Sequence, residues 1–446
     1  MFKKLCCLLL TFVFVFGLCG CDLFTADTAD LLSPPSLSDD FKEISNAVKN
    51  SIDTDYVLEY PQSGKYRSAI VQNDVNGDGE NEVFAFYSTK DGETEISSIN
   101  AIFRIDGEWK SVAIQTMAAS GVNVVDFCDF DRDGTNEILV GWQIYSTSEM
   151  MLAVYSYKNG ELAQRVLTKY NQFAICDLDE NNTKDILVIE SDIERQKNAA
   201  SLYGFSQDGV VQIGKCALDS KVQSFGAPIV SELSSGKAAV YIDAVKGIGA
   251  ITEVLIYEKG KLLNPLHDAQ TNETIKTLHS ANLSTQDFNN DGVLEIPVQI
   301  SVPSVVKTKA SEKLYLTSWC SFNGELLTAQ MTTMVDTADG YCFDLPSKWV
   351  GNIAVLKDTD NRIRTIYEYN AEKAKKGDEL ISFRAITIRD WENGIYKALG
   401  LMEIGRTDQF VIASKVLRKS GLTYQKAVKS FRVLKEETVN ETGTDS

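Results

Sequence analysis

Four times in this chain, nine consecutive residues set polar or acidic side chains at positions 1, 3, 5 and 9, and this spacing constrains the fold more than any other feature. The runs start at Asp74 (then Asn76, Asp78, Glu80, Glu82), Asp129 (Asp131, Asp133, Thr135, Glu137), Asp177 (Asp179, Asn181, Thr183, Asp185) and Asp287 (Asn289, Asp291, Val293, Glu295). A hard cation such as calcium takes about six to eight oxygen ligands from a flexible loop. Alternation at positions 1, 3 and 5 turns three side-chain oxygens inward as the backbone curls. Position 7 (Glu80, Thr135, Thr183, Val293) then adds a main-chain carbonyl and position 9 a carboxylate. Position 6 has to turn through the left-handed region, which Gly79, Gly134 and Gly292 do freely and Asn182 does best among the other residue types. Up to four structural calcium ions are expected.

An EF-hand uses the same ligands but needs a bidentate Glu at position 12, where this chain has Ala85, Val140, Val188 and Val298. Apolar, strand-like segments follow instead: Val83 to Tyr87, Ile138 to Trp142, Ile186 to Ile189 and Ile296 to Val298. The cation is therefore expected to join strands. Loops that begin at residues 74, 129, 177 and 287 are spaced by 55, 48 and 110 residues, the last step being close to two periods. A copy without ligands is expected near Ser231, where the chain keeps Gly236 and the apolar Ala238 to Tyr241. Turn pairs such as Asp106-Gly107 and Lys259-Gly260 divide each period into about four strands. A lone sheet of that size cannot bury both faces and must stack on its neighbours.

On these loops and the strands after them, residues 54–335 resemble FG-GAP/VCBS-type repeats, the blades of integrin-α-like β-propellers. The expected fold class is all-β: a β-propeller of four-stranded blades, five of them readable, followed by a small α+β domain over residues 338–436. The resemblance implies that calcium braces the propeller edge and that partners dock on the opposite face. Asn181 with Asn182, and the ligand-free copy at Ser231, depart from the family pattern.

Residues 1–20 carry Lys3, Lys4 and an apolar stretch from Leu5 to Leu18, the organisation of an export signal. Leu18-Cys19-Gly20-Cys21 resembles the lipobox of bacterial lipoproteins, which implies that Cys21 is lipid-modified and anchors the protein to the extracytoplasmic face of a membrane. Residues 21–37 read as a tether, residues 38–53 as an amphipathic helix with Phe41, Ile44, Val48 and Ile52 on one face, and residues 437–446 as a disordered tail. This whole-chain order resembles lipoproteins of Gram-positive anaerobes. Beyond residue 20 the chain has 42 Lys and Arg against 62 Asp and Glu, a net of −20, which argues against nucleic acid as a partner. Cys128, Cys176, Cys216, Cys320 and Cys342 are odd in number and lack close pairing, so no disulfide framework is expected.

The tail is expected to form strands over Ile353 to Leu356, Ile363 to Tyr369, Ile381 to Ile388 and Phe410 to Ala413, and a helix from Tyr424 to Leu434. Residues 397–435 carry nine Lys and Arg against two acids, a basic patch in an acidic protein. His267 and His279 are the only histidines, and the chain has no phosphate loop, GxSxG elbow or HExxH sequence. A binding or scaffold protein with a protein or glycan ligand is therefore expected, not an enzyme. The alternative is a surface carbohydrate-active enzyme, a hydrolase or lyase, working with a carboxylate pair such as Asp243 and Glu253.

Overall fold

The computed structural model describes residues 39–434 except 93, 145–148, 159, 207–208, 304–313 and 417–419. The leader, Cys21, the tether and the tail after residue 434 lie outside the described residues. The chain forms six antiparallel sheets, five of them blades within residues 57–344. Blade 1 uses Val57–Leu58, Ile70–Asn73, Glu82–Asp91, Thr94–Ile105 and Glu108–Met117, and blade 2 uses Ala119–Cys128, Glu137–Ile144, Met150–Lys158 and Glu161–Tyr170. Blade 3 runs from Gln172–Cys176 to Gly209–Leu218, and blade 4 is built on Ala238–Lys246 and Gly249–Glu258. Blade 5 contains Ile296–Ser301, Tyr315–Phe322, Leu327–Asp336 and Tyr341–Asp344. Within blades 2 and 3 every strand pairs with its neighbours in sequence, giving the up-and-down order of propeller blades.

The strand after each loop is apolar at nearly every residue because each blade is covered on both faces. Strand alternation sends odd and even residues to different neighbours. In blade 1, Phe84 and Phe86 join Ile138, Val140 and Trp142 of blade 2 in one core, while Val83 and Ala85 face the other way. Leu139 of blade 2 packs with Ile186 and Val188 of blade 3. Leu187 and Ile189 pack with Val240 and Ile242 of blade 4, and Ala239 and Tyr241 pack with Ile296 and Phe322 of blade 5. The expected ligand-free copy is thus the hairpin of blade 4, in which Ile229–Glu232 pairs with Ala238–Lys246 around Gly236 at φ +79°.

Helix α1 (Asp39–Asn50) closes the free face of blade 1. Ile44 and Val48 pack on Val83, Ala85 and Ile102, whereas Phe41 at the start of the same stripe is 38% exposed. At the other end, a sixth sheet orders its strands as Ile353–Asp358, Ile363–Asn370, Lys375–Thr387, Phe410–Val416 and Met402–Arg406. Its Phe383 and Ile412 share a core with Phe343 and Met334 of blade 5. Two short helices, α2 (Ile388–Glu392) and α3 (Ile395–Ala398), carry Trp391 and Tyr396 onto its outer face beside Val411 and Ala413. Among the described residues, no hydrophobic cluster joins blade 1 to the sixth sheet.

The helix expected from Tyr424 to Leu434 is shorter. Helix α4 (Tyr424–Ser430) stops at Phe431, and Phe431–Val433 adds an edge strand to Tyr341–Asp344 of blade 5. Tertiary packing overrides the local pattern: the Phe431 ring stacks on Tyr341, and a Cβ at Gly405 would lie 2.1 Å from that ring. The five described cysteines are free thiols.

The α1 contact predicts that Ile44→Ala destabilises the protein by about 2–4 kcal/mol in denaturant unfolding, as for other large-to-small changes in a core. A loss under about 0.5 kcal/mol, the range of ordinary surface substitutions, would show that α1 does not seal blade 1.

Candidate metal centres

Three hydrogen bonds recur at the same loop positions in all four nine-residue loops. The position-9 carboxylate accepts from the position-2 amide: Glu82 from Val75 at 2.9 Å, Glu137 from Phe130 at 3.2 Å, Asp185 from Leu178 at 3.2 Å and Glu295 from Phe288 at 2.9 Å. Oδ2 of the position-1 aspartate accepts from the position-6 amide: Asp74 from Gly79, Asp129 from Gly134, Asp177 from Asn182 and Asp287 from Gly292, at 2.8–3.1 Å. The position-5 oxygen accepts from the position-7 amide: Asp78 from Glu80, Asp133 from Thr135, Asn181 from Thr183 and Asp291 from Val293. Position 7 thus takes part through its main-chain amide, including at Val293.

Position 6 is left-handed throughout, with φ from +67° at Asn182 to +89° at Gly79. Position 4 is left-handed as well, at Gly77, Arg132, Glu180 and Asn290, with φ from +58° to +74°. Sequence reasoning missed this second turn, because only Gly77 and Asn290 advertise it. The position-12 residues Ala85, Val140 and Val188 are fully buried in blade cores, so the loops are not EF-hands.

Asp129, Asp131 and Glu137 bring one carboxylate oxygen each within 4.8 Å of one another, and so do Asp177, Asp179 and Asp185. Asp129 Oδ1 and Asp185 Oδ1 are buried without a hydrogen-bond partner, which is costly unless something positive meets them. Burial, with Asp179 alongside, pushes the Asp185 carboxyl up to about 7, and burial also raises Glu82, Glu137 and Glu295. A divalent cation would relieve both faults, so the donor set fits a hard ion.

In the first and last loops an amide takes the central place. Asn76 Nδ2 donates to Asp78 and to Glu82 at 2.9 Å, and Asn289 Nδ2 donates to Asp291 and to Glu295 at 2.9 Å, leaving the buried Asn289 Oδ1 unpartnered. A half-turn of either amide would present its oxygen to a cation. In the second loop Asp133 instead meets Lys158 at 3.5 Å and bonds the Thr135 hydroxyl.

The first three loops touch in sequence. Asn136 Nδ2 donates to the Asp74 carbonyl at 2.8 Å and to Asn73 Oδ1 at 3.0 Å, and the Lys184 amide donates to the Phe130 carbonyl at 3.1 Å. A Cβ on Gly77 would lie 2.5 Å from the Gly134 carbonyl, so glycine is what lets the first two loops meet.

Asp243 and Glu253 do not form a carboxylate pair. The strand register sets Asp243 opposite Thr252 and Glu253 opposite Ile242, which sends the two carboxylates to opposite faces of blade 4. Asp243 accepts from Thr252 and Thr285, and the fully buried Glu253 accepts from Thr274, Asn264 and the Asp219 amide. Lys246 meets the buried Asp219 at 2.6 Å and Glu273 at 2.9 Å, so this network pins residues 264–285 onto blade 4. His279 is buried within it, and His267 bonds Asn272 at its margin.

An FG-GAP-like repeat family model matches residues 74–140, which contain the first two loops. No curated protein sequence matches. Solved structures that overlap this chain include exotype rhamnogalacturonan lyase YesX, with 13% identity, a TM-score of 0.29, and 73% of this chain and 65% of that one covered. This chain thus spans slightly less than two thirds of that lyase. Others are Bacillus licheniformis rhamnogalacturonan lyase PL11, with 11% identity, a TM-score of 0.30 and 72% and 71% coverage, and the Pseudomonas aeruginosa periplasmic gluconolactonase PpgL, with 12%, 0.27, and 73% and 95%. The repeat rests on residues 74–140 and on the hydrogen bonds shared by the four loops.

Both Asp185 and Glu59 are carboxyls raised to about 7, chiefly by burial, from ordinary values near 4. Groups raised on folding favour the folded state below their unfolded values, and that contribution is lost as pH climbs through about 7. In chelator, the melting temperature is therefore expected to fall between pH 5 and pH 8, and to fall less with a divalent cation that favours ionised Asp185. A metal-free melting temperature that rises across this interval would contradict the assignment.

Proposed function

We propose that the chain is a lipid-anchored, calcium-stiffened glycan-binding protein on the extracytoplasmic side of a membrane. The apolar leader and Cys21 support export and anchoring, and the oxygen-only donor sets with three carboxylates support calcium.

The observation that carries the binding reading is a groove of about 720 Å³ with the fourth loop as one wall. Asn282, Ser284, Gln286, Asn290 and Thr337 line it with amides and hydroxyls, each able to donate and accept, as neighbouring sugar hydroxyls require. Phe288 forms an apolar wall, held between Trp319, stacked at 3.9 Å, and the Arg432 guanidinium. Asp287, the groove's carboxylate, already accepts from the amides of Asp291 and Gly292 within its own loop. Arg432 is held by Asp344 at 3.0 Å. The groove therefore offers hydrogen bonds and shape.

Calcium stiffening has a measurable size. With free calcium about ten times the dissociation constant, each site contributes roughly 1.4 kcal/mol by mass action. Four sites then supply about 5–6 kcal/mol against a typical domain stability of about 5–15 kcal/mol. Chelation is expected to lower the melting temperature by roughly 5–8 °C, at about 1.2 °C per kcal/mol for an array of this size. An unchanged melt in excess chelator would remove calcium from the account.

Because the fourth loop shapes the groove, glycan binding should require calcium. On a glycan panel, binding is expected to disappear in chelator, return with calcium, and weaken at least about tenfold in Asn282→Ala with Asn290→Ala, through the loss of two or more hydrogen bonds. Turnover of any glycan, or no glycan bound at all, would overturn the reading.

A further inference from the structure

The basic patch of residues 397–435 resolves into two kinds of cation. Its two described arginines are committed: Arg406 grips Glu403 through Nε and NH2 at 2.6 and 3.0 Å, and Arg432 holds Asp344. Lys397 lies over the Trp391 ring. Lys426 and Lys429 are different. Both sit on α4, and with Lys348 from the segment after blade 5 they converge on a separate cavity of about 420 Å³. Among the described residues, no carboxylate lies within ion-pair distance of these three ammonium groups. The cavity's one acid, Asp344, already serves Arg432, and Leu345 and Leu422 supply an apolar floor.

Among the described residues, three lysines without an ion-pair partner gather around one hollow, on a chain of net charge −18 where acidic partners are plentiful. Like charges gathered around one hollow favour an anion that enters it. Gly421 lets Lys348 lie close against its own segment, since a Cβ there would stand 2.7 Å from Lys348 Nζ. Lysine is a compact point charge with rotatable donors and binds phosphate in that way, whereas the planar fork of arginine grips carboxylate or phosphate through two parallel bonds. A site made of lysines from two segments suits a tetrahedral anion approached from several sides. The volume leaves room for the unit that carries it.

We propose that Lys348, Lys426 and Lys429 form a binding site for a phosphate group carried on a larger molecule. This goes beyond the glycan groove and stands independently of it, because Asn282 and Asn290 do not line this cavity.

The test uses the full chain saturated with calcium and three probes: poly(glycerol phosphate), inorganic phosphate as its competitor, and phosphatidylglycerol vesicles. Binding to the polymer assigns the phosphate to a polymer, and binding to vesicles alone assigns it to a lipid headgroup. In either case the K348Q/K426Q/K429Q variant is expected to bind at least about a hundredfold more weakly, at roughly tenfold per lost charged hydrogen bond. Its melting temperature should match the parent's, since all three side chains are exposed. Binding should also weaken with added salt, as screening requires. The proposal is overturned if no probe binds, or if the triple variant binds within about twofold of the parent.

Discussion

The contact on which the array depends is the bond between the position-9 carboxylate of each loop and the amide of position 2. It closes the loop on itself at the start of the apolar strand. Position 2 is itself a core residue: Val75 and Phe130 are fully buried, Leu178 nearly so, and Phe288 stacks on Trp319. One end of the contact is therefore anchored in a core and the other carries a charge into it. Burying a carboxylate this way is unfavourable unless a counter-charge follows, which is why the loops read as cation sites and not as acidic turns. Geometry supplies the rest, since left-handed residues at positions 4 and 6 aim the amides inward.

Blade 4 reaches a related result by a different route. It has no acidic loop, and its anchoring charges sit in the network around residues 264–285. There the cation is the protein's own ammonium: Lys246 lies between Asp219 and Glu273, with Lys221 also on Glu273. Glu253, fully buried and raised by burial, is held by neutral donors alone. Ordering this long segment consumes entropy, and the density of threonine hydroxyl bonds at Thr252, Thr274, Thr277 and Thr285 is what offsets it.

Much of this was legible in the sequence because ligand spacing and strand spacing repeat together. The loop starts gave the blade period, and the doubled gap pointed to the hairpin at Ser231. Features without a repeated signal were lost. The left-handed position 4 hides behind Arg132 and Glu180. The strand at Phe431–Val433 looks helical until Gly405 and Tyr341 are brought beside it. The suggested pairing of Asp243 with Glu253 failed on parity: cross-strand partners, not nearness, decide which face a side chain meets, and one residue of offset reverses it. The two cavities near Arg432 gather residues more than 70 positions apart, which no local pattern could reveal.

Helix α1 at one end and the pair α2 and α3 at the other have a consequence for assembly. The free face of blade 1 and the free face of the sixth sheet differ in shape and composition, so a molecule lacking both covers would meet its neighbours head to tail. Contacts of that kind propagate as open filaments unless a rotation happens to close them. Ile44 and Trp391 thus cover apolar faces that would otherwise lie open to a further sheet.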